Sequence, residues 1–102
     1  MLMANLQTFD ISAHLQDLET VAAYLDACLE EGGQELFLAG LGHVMKSHGM
    51  SDIVARAGLG SRSSAYRAFS SSGNPELASV GSVLDSLDLR LSVVPKEHSE
   101  VA

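Results

Sequence analysis

The sequence predicts an all-α fold, a helix-turn-helix domain of five to six helices closed by one short C-terminal strand. Three observations predict it. Apolar residues recur at helical spacing over most of the chain. Capping residues and glycines punctuate those stretches at their ends. Strict alternation with period two appears only near the C-terminal end, at Leu89, Leu91 and Val93 between Arg90, Ser92 and Val94.

Taken in order, Asp10 can cap a single turn over Ile11–Leu15, and Asp17 a helix running to about Glu31. Glu19 suits the positive end of that helix. Val21, Tyr24, Leu25, Cys28 and Leu29 form its apolar face, and Gly32-Gly33 is expected to end it. A second long helix should cover about Gln34–Ser47, burying Phe37, Leu38, Leu41, Val44 and Met45. Gly40 and Gly42 weaken it by about 1 kcal/mol each relative to alanine unless a neighbour packs closely there. After Gly49, Ser51 is expected to cap a short helix over Asp52–Ala57. Gly58-Leu59-Gly60 then turns the chain, and Ser61 caps the next helix, Arg62–Ser70. Asn74-Pro75 should open a last helix, because proline suits the first helical position. Its stripe is Leu77, Val80, Leu84 and Leu87. Pro95 stops the terminal strand, which needs a partner for its backbone edges, and a second copy of the chain is the obvious one.

A chain of 102 residues with 46% hydrophobic and 19% charged residues fits one globular domain. That domain should span residues 9–95, with flexible tails at 1–8 and 96–102. One cysteine cannot form an internal disulfide, and no stretch approaches the ~20 apolar residues that cross a bilayer. A cytoplasmic protein without membrane contact is therefore expected. The formal net charge of −7 is unevenly spread. Residues 1–45 hold seven acids and no lysine or arginine, whereas residues 46–70 hold Lys46, Arg56, Arg62 and Arg67 against Asp52 alone. Such asymmetry suggests two surfaces with different partners.

Two short helices around a glycine turn, the second opening on Ser-Arg, have the layout of a DNA-reading helix-turn-helix. The second helix must bury Ala65, Ala68 and Phe69 and present Arg62, Ser63, Tyr66, Arg67 and Ser70. Base contacts come mainly from its first turn, so Ser61, Arg62 and Ser63 are the leading readers. Arg62 can offer guanine a bidentate fork worth about 1–3 kcal/mol of discrimination. Tyr66 and Arg67, one turn later, suit backbone or thymine contacts, and Lys46 and Arg56 suit flanking phosphates. Protonated His43 and His48 would add to these. An ordinary solvated amphipathic helix remains the plain alternative.

The sequence also resembles a known family. The stretches FDISAHLQDLETVAAYLDACLEEG, ELFLAGLGHVMKSHGMS and SRSSAYRAFSSSGNPELASVGSVLDSLDLRLSV, with the Ala55-Arg56 pair between them, resemble addiction-module antidote proteins with an XRE-type, Cro/repressor-like helix-turn-helix. The turn departs by one residue, since Ala55 stands three before Gly58 where the family usually has a small residue four before it. The resemblance covers about residues 9–95. It implies a repressor-like all-α fold and a homodimer. It also implies repression of the protein's own operon through double-stranded operator DNA, and neutralisation of a small RelE-like toxin. Such a toxin acts on RNA and should be basic, which would give the acidic half a use. Asp17, Glu19, Asp26, Glu30 and Glu31 are the candidate toxin contacts. A stand-alone regulator of the same fold and a protein-interaction module that no longer binds DNA are the alternatives. No cofactor is expected, nor a metal, because His14, His43, His48 and His98 lack ligand spacing and Cys28 has no second thiol. The serines have no accompanying base or nucleophile elbow, so no enzymatic role is expected.

Overall fold

The computed structural model describes residues 17–96. The single turn expected at Ile11–Leu15 and the tail at 1–8 lie outside them. The described residues form four helices: α1 (Leu18–His48), α2 (Met50–Ala57), α3 (Arg62–Ala68) and α4 (Leu77–Ser86). All-α is correct, but five to six helices is too many for these residues. The two long helices expected on either side of Gly32-Gly33 run together as α1, broken at Gly33 (φ 66°, ψ −152°). Glycine reaches that backbone without a Cβ clash, so the helix bends there and resumes without a loop.

The expected ends of the elements need similar corrections. Asp17 precedes α1 as foreseen, yet its carboxylate caps no backbone N–H and instead accepts the Thr20 hydroxyl at 2.7 Å. Ser51 caps nothing, because α2 already begins at Met50. Gly49 serves both neighbours there. Its N–H closes α1 on the Met45 and Lys46 carbonyls at 3.0 and 3.2 Å, and its own carbonyl accepts from Ile53 at 3.1 Å. Pro75 does not open α4. The helix starts at Leu77, and the Glu76 carbonyl receives the Ser79 and Val80 N–H groups at 3.0 and 3.1 Å.

The C-terminal strand is the largest correction. Among the described residues there is no strand, and 89–96 follow α4 without regular structure. Alternation alone makes no strand, because a ladder needs a neighbouring edge and this chain supplies none. Val93 is accordingly 96% exposed.

The core is apolar throughout. Val21, Leu25, Leu38, Leu41, Val44 and Met45 from α1 meet Met50, Ile53 and Val54 of α2, Ala65 and Phe69 of the α3 region, and Val80, Val83, Leu84 and Leu87 of the α4 region. No polar or charged side chain is buried among the described residues. Helix α2 is the hub, packing against α1, α3 and α4. Cys28 is buried as a small core residue. Leu29 and Leu77, expected inside, stand 48% and 72% exposed at one edge of this core.

Gly42 shows why a glycine stands in the middle of α1. A Cβ there would collide with the carbonyl oxygen of Phe69, so the α1 backbone lies directly against the end of α3. Gly40 likewise faces the Cys28 thiol and the Tyr24 ring. The close neighbours that alone would justify glycines in this helix are therefore present. Gly42→Ala should push the end of α3 away and cost about 1–3 kcal/mol, the usual cost of overpacking, measurable by urea denaturation. Unchanged stability would show that the contact is loose.

Burial, and then the Cys28 thiol, push the Tyr24 hydroxyl above its ordinary pKa. In the unfolded chain this group ionises near pH ~10. Its contribution to stability is therefore complete below that pH and is lost as pH climbs through the raised folded value. Tyr24→Phe should flatten the alkaline side of a stability-versus-pH curve, and an unaltered slope would contradict that origin.

Candidate nucleic-acid interface

The turn between α2 and α3 is built by two glycines. Gly58 takes the left-handed conformation (φ 67°, ψ 41°) that ends α2, and Gly60 follows with φ 89°. The chain reverses with the Leu59 N–H on the Val54 carbonyl at 3.0 Å, while the half-buried Leu59 side chain packs on the core. Ser61 then caps α3 as the sequence predicts. Its Oγ accepts the Ser64 N–H at 3.1 Å and donates to the Ser64 Oγ at 3.0 Å. The Ser61 hydroxyl is thereby engaged in holding the helix start.

Helix α3 presents the faces the sequence assigns. Ala65 and Phe69 are buried, and Ala68 is half-buried against the core. Arg62, Ser63, Tyr66 and Arg67 are exposed. Ser70 lies just beyond the helix, half-buried, with its hydroxyl donating to the Arg67 carbonyl at 2.9 Å. Helix α3 thus stops at Ala68 rather than Ser70, and Phe69 turns off the helix with its side chain in the core.

The remaining basic residues differ in their availability. Lys46 is exposed on the last turn of α1 and borders a groove of about 300 Å³ shared with Tyr66, Ser70 and Ser71. Lys46 and Tyr66 therefore face one cleft although 20 positions separate them in the sequence. Arg56 is bound at 3.0 Å to Asp52 one turn back on α2. That pair is solvent-exposed and worth about 0–1 kcal/mol, a small cost if Arg56 turns to a phosphate. Among the described residues, Arg62, Arg67 and Lys46 have no ion-pair partner.

His43 borders the same groove as Lys46. Its Nδ1 lies 3.4 Å from the Tyr24 hydroxyl. It was readable in the sequence, standing three residues before Lys46 and so on the same helical face. His48 is different. It is half-buried, with Nδ1 3.2 Å from the Val44 carbonyl oxygen, and so is tied to its own helix.

The acidic residues Asp17, Glu19, Asp26, Glu30 and Glu31 are all exposed at the start and along the first arm of α1. Glu19, Asp26 and Glu30 fall into one stripe of that helix, by its 3.6-residue period. No lysine or arginine stands in the described chain before Lys46. Among the described residues, exposed acids therefore gather on the first arm of α1, while Lys46, Arg62 and Arg67 stand on and beside α3.

The cap carries a direct test. Ser61→Ala should remove the oxygen that accepts the Ser64 N–H and cost about 1 kcal/mol of stability, with Ser61→Asp retaining most of it. Denaturation midpoints would measure both, and equal loss in the two variants would contradict a capping role.

Among the described residues, no helix is long and apolar enough to cross a membrane. Along residues 5–95, which include all four helices, the chain matches a family described as "Probable addiction module antidote protein". It is 39% identical over 88 residues to a protein of Haemophilus influenzae (strain Rd) described as "Uncharacterized protein", a match spanning 86% of this chain and 90% of that one. No solved structure matches it significantly. With agreement over nearly its whole length, and with a helix pair built as the sequence requires, this chain belongs to the addiction-module antidote family.

Proposed function

We propose that the protein is the antitoxin of a type II toxin–antitoxin module, a cytoplasmic homodimer of the XRE type that binds operator DNA and represses its own operon. In this reading it also neutralises a small, basic RelE-like toxin, and it catalyses no reaction. The observation that carries the DNA half is the outward face of α3, where Arg62, Ser63, Tyr66 and Arg67 are exposed while Ala65 and Phe69 anchor the helix from behind. Arg62 at the first helical position reads a guanine edge, and Ser63 supports it. Ser61 fixes the start of the helix. Tyr66 and Lys46, bordering one cleft, take a backbone segment together, and Arg67 and Arg56 take flanking phosphates.

The toxin half rests on family membership and on the acidic arm. Asp17, Glu19, Asp26, Glu30 and Glu31 offer a basic partner an uninterrupted field of opposite sign, which speeds encounter and fixes orientation. With few basic residues per chain, the electrostatic part of DNA affinity is limited. A bound basic toxin adds its own charge and tightens the grip on the operator.

The net charge of −7 is the one observation favouring a second reading, a domain of this fold that works through protein contacts alone. Salt-sensitive binding to the upstream DNA separates the two. Gel-shift titrations with and without the co-encoded toxin should show tighter binding in its presence, and equal affinities would remove the proposed cooperation. Arg62→Ala should lose about 1–3 kcal/mol of preference for the operator over unrelated duplex. Lys46→Ala should weaken all sequences alike and lower the salt slope by about 1. Intact preference in Arg62→Ala would displace that residue from base reading.

A further inference from the structure

The groove of about 300 Å³ between the end of α1 and the end of α3 is bordered by the polar side chains of His43, Lys46, Tyr66, Ser70 and Ser71. No carboxylate borders it, in a chain of net charge −7. Its floor is held in place, because the α1 backbone at Gly42 lies against the Phe69 carbonyl. The donors differ in what they have left to give. Ser70 spends its hydroxyl proton on the Arg67 carbonyl at 2.9 Å. Lys46, Tyr66 and Ser71 are exposed, and their polar groups have no partner among the described residues. His43 is exposed too. Its Nδ1 lies 3.4 Å from the Tyr24 hydroxyl, and its Nε2 has no partner among the described residues.

We propose that this groove holds one phosphate of the DNA backbone between Lys46, Tyr66 and His43, and that protonation of His43 tightens the hold. The proposal rests on the DNA reading above and adds a third ligand and a pH dependence to it. The chemistry of imidazole carries it. A neutral ring whose Nδ1 accepts the Tyr24 O–H offers a phosphate one uncharged N–H from Nε2. A protonated ring donates from both nitrogens, and its charge-assisted bond to an anion is about twice as strong. Tyr24 serves either state, since a hydroxyl can donate to a bare Nδ1 or accept from a protonated one. Burial, and then the Cys28 thiol, raise the pKa of that hydroxyl and so keep it uncharged. Lys46 stands three positions beyond His43 on the same helical face, so ammonium and imidazole can reach one anion together. Without an anion the two cations only repel each other, whereas a phosphate between them attracts both.

Other charged groups stand farther from the ring. On the first arm of α1, the helical stripe of Tyr24 carries no charge nearer than Asp17 and Glu31, each seven positions away and so roughly 10 Å along the helix. On the arm of His43 itself, Lys46 is the nearest charge, and Glu35 stands eight positions back. From α3 comes Tyr66, with Arg67 beside it but not on the groove, and Ser70 and Ser71 are uncharged. His48 provides an internal control. It is half-buried with its Nδ1 3.2 Å from the Val44 carbonyl oxygen, and it does not border the groove. A complex that holds the His43 proton more firmly than the free protein must, by linkage, bind DNA more tightly as pH falls through the ordinary imidazole range near pH ~6.5.

Fluorescence anisotropy of labelled duplexes at constant ionic strength tests this on the full chain. From about pH 7.5 to about pH 6.0, where exposed carboxylates stay ionised, affinity should rise about three- to fivefold. His43→Gln takes up no proton and should lose that rise, while His48→Gln should keep it. Circular dichroism at both pH values should show the same helix content in each variant. Because a phosphate carries no sequence, the rise should be equal on the upstream operator and on an unrelated duplex. A rise that survives in His43→Gln, or one confined to the operator, would overturn the proposal. Binding that responds to salt and to Arg62→Ala but not to pH would overturn it and leave the DNA reading in place. Failure to bind any duplex would sink both.

Discussion

Helix α3 is seven residues long, too short to persist on its own, because helix nucleation is costly and few backbone bonds repay it. Its existence depends on being held from behind. Ala65 and Phe69 sit in the core, and the α1 backbone at Gly42 lies against the Phe69 carbonyl. The Ser61 hydroxyl secures the other end. With both ends fixed, the side chains between them have a defined direction. The hub position of α2 serves the same purpose, since it connects α3 to α1 and α4 through Met50, Ile53 and Val54.

The second organising feature is the separation of charge along the chain. Acidic residues occupy the first arm of α1, and the predominantly basic stretch begins at its last turn with Lys46. A net charge of −7 would by itself argue against a nucleic-acid partner, but the field near α3 is set by the nearest groups and falls off within about 10 Å at ordinary salt. Local sign therefore matters more than the total. With its buried residues apolar throughout, the core takes no part in this pattern, and both charged surfaces are displayed on a neutral scaffold.

Much of this was readable from the residues alone, for reasons that can be stated. The helix pair around Gly58-Leu59-Gly60 and the cap at Ser61 follow from local chemistry, and local chemistry is what a sequence displays directly. The buried faces of α1 and α3 follow from periodicity. What escaped was what depends on contacts distant in the chain. Nothing local says that Gly33 would bend a helix rather than end it, because that depends on what each arm packs against. Leu77 obeys the stripe of α4 yet stands outside the core, on the rim of the groove it shares with Leu29, Phe37 and Leu91. The alternation at 89–94 predicts a strand that the described residues do not form, because periodicity cannot supply an edge to pair with. The cleft joining Lys46 to Tyr66 likewise exists only once the chain has folded back on itself.

The bend at Gly33 has one further consequence. Both charged territories are attached to the same element, the acidic one before the bend and Lys46 at the far end. The angle at a single residue therefore sets how the two fields are aimed relative to each other. Because the backbone there is one that side-chain-bearing residues rarely adopt, replacing Gly33 would re-aim one field against the other while leaving every charge in place. The relative orientation of the two charged surfaces is thus set by a position that carries no side chain.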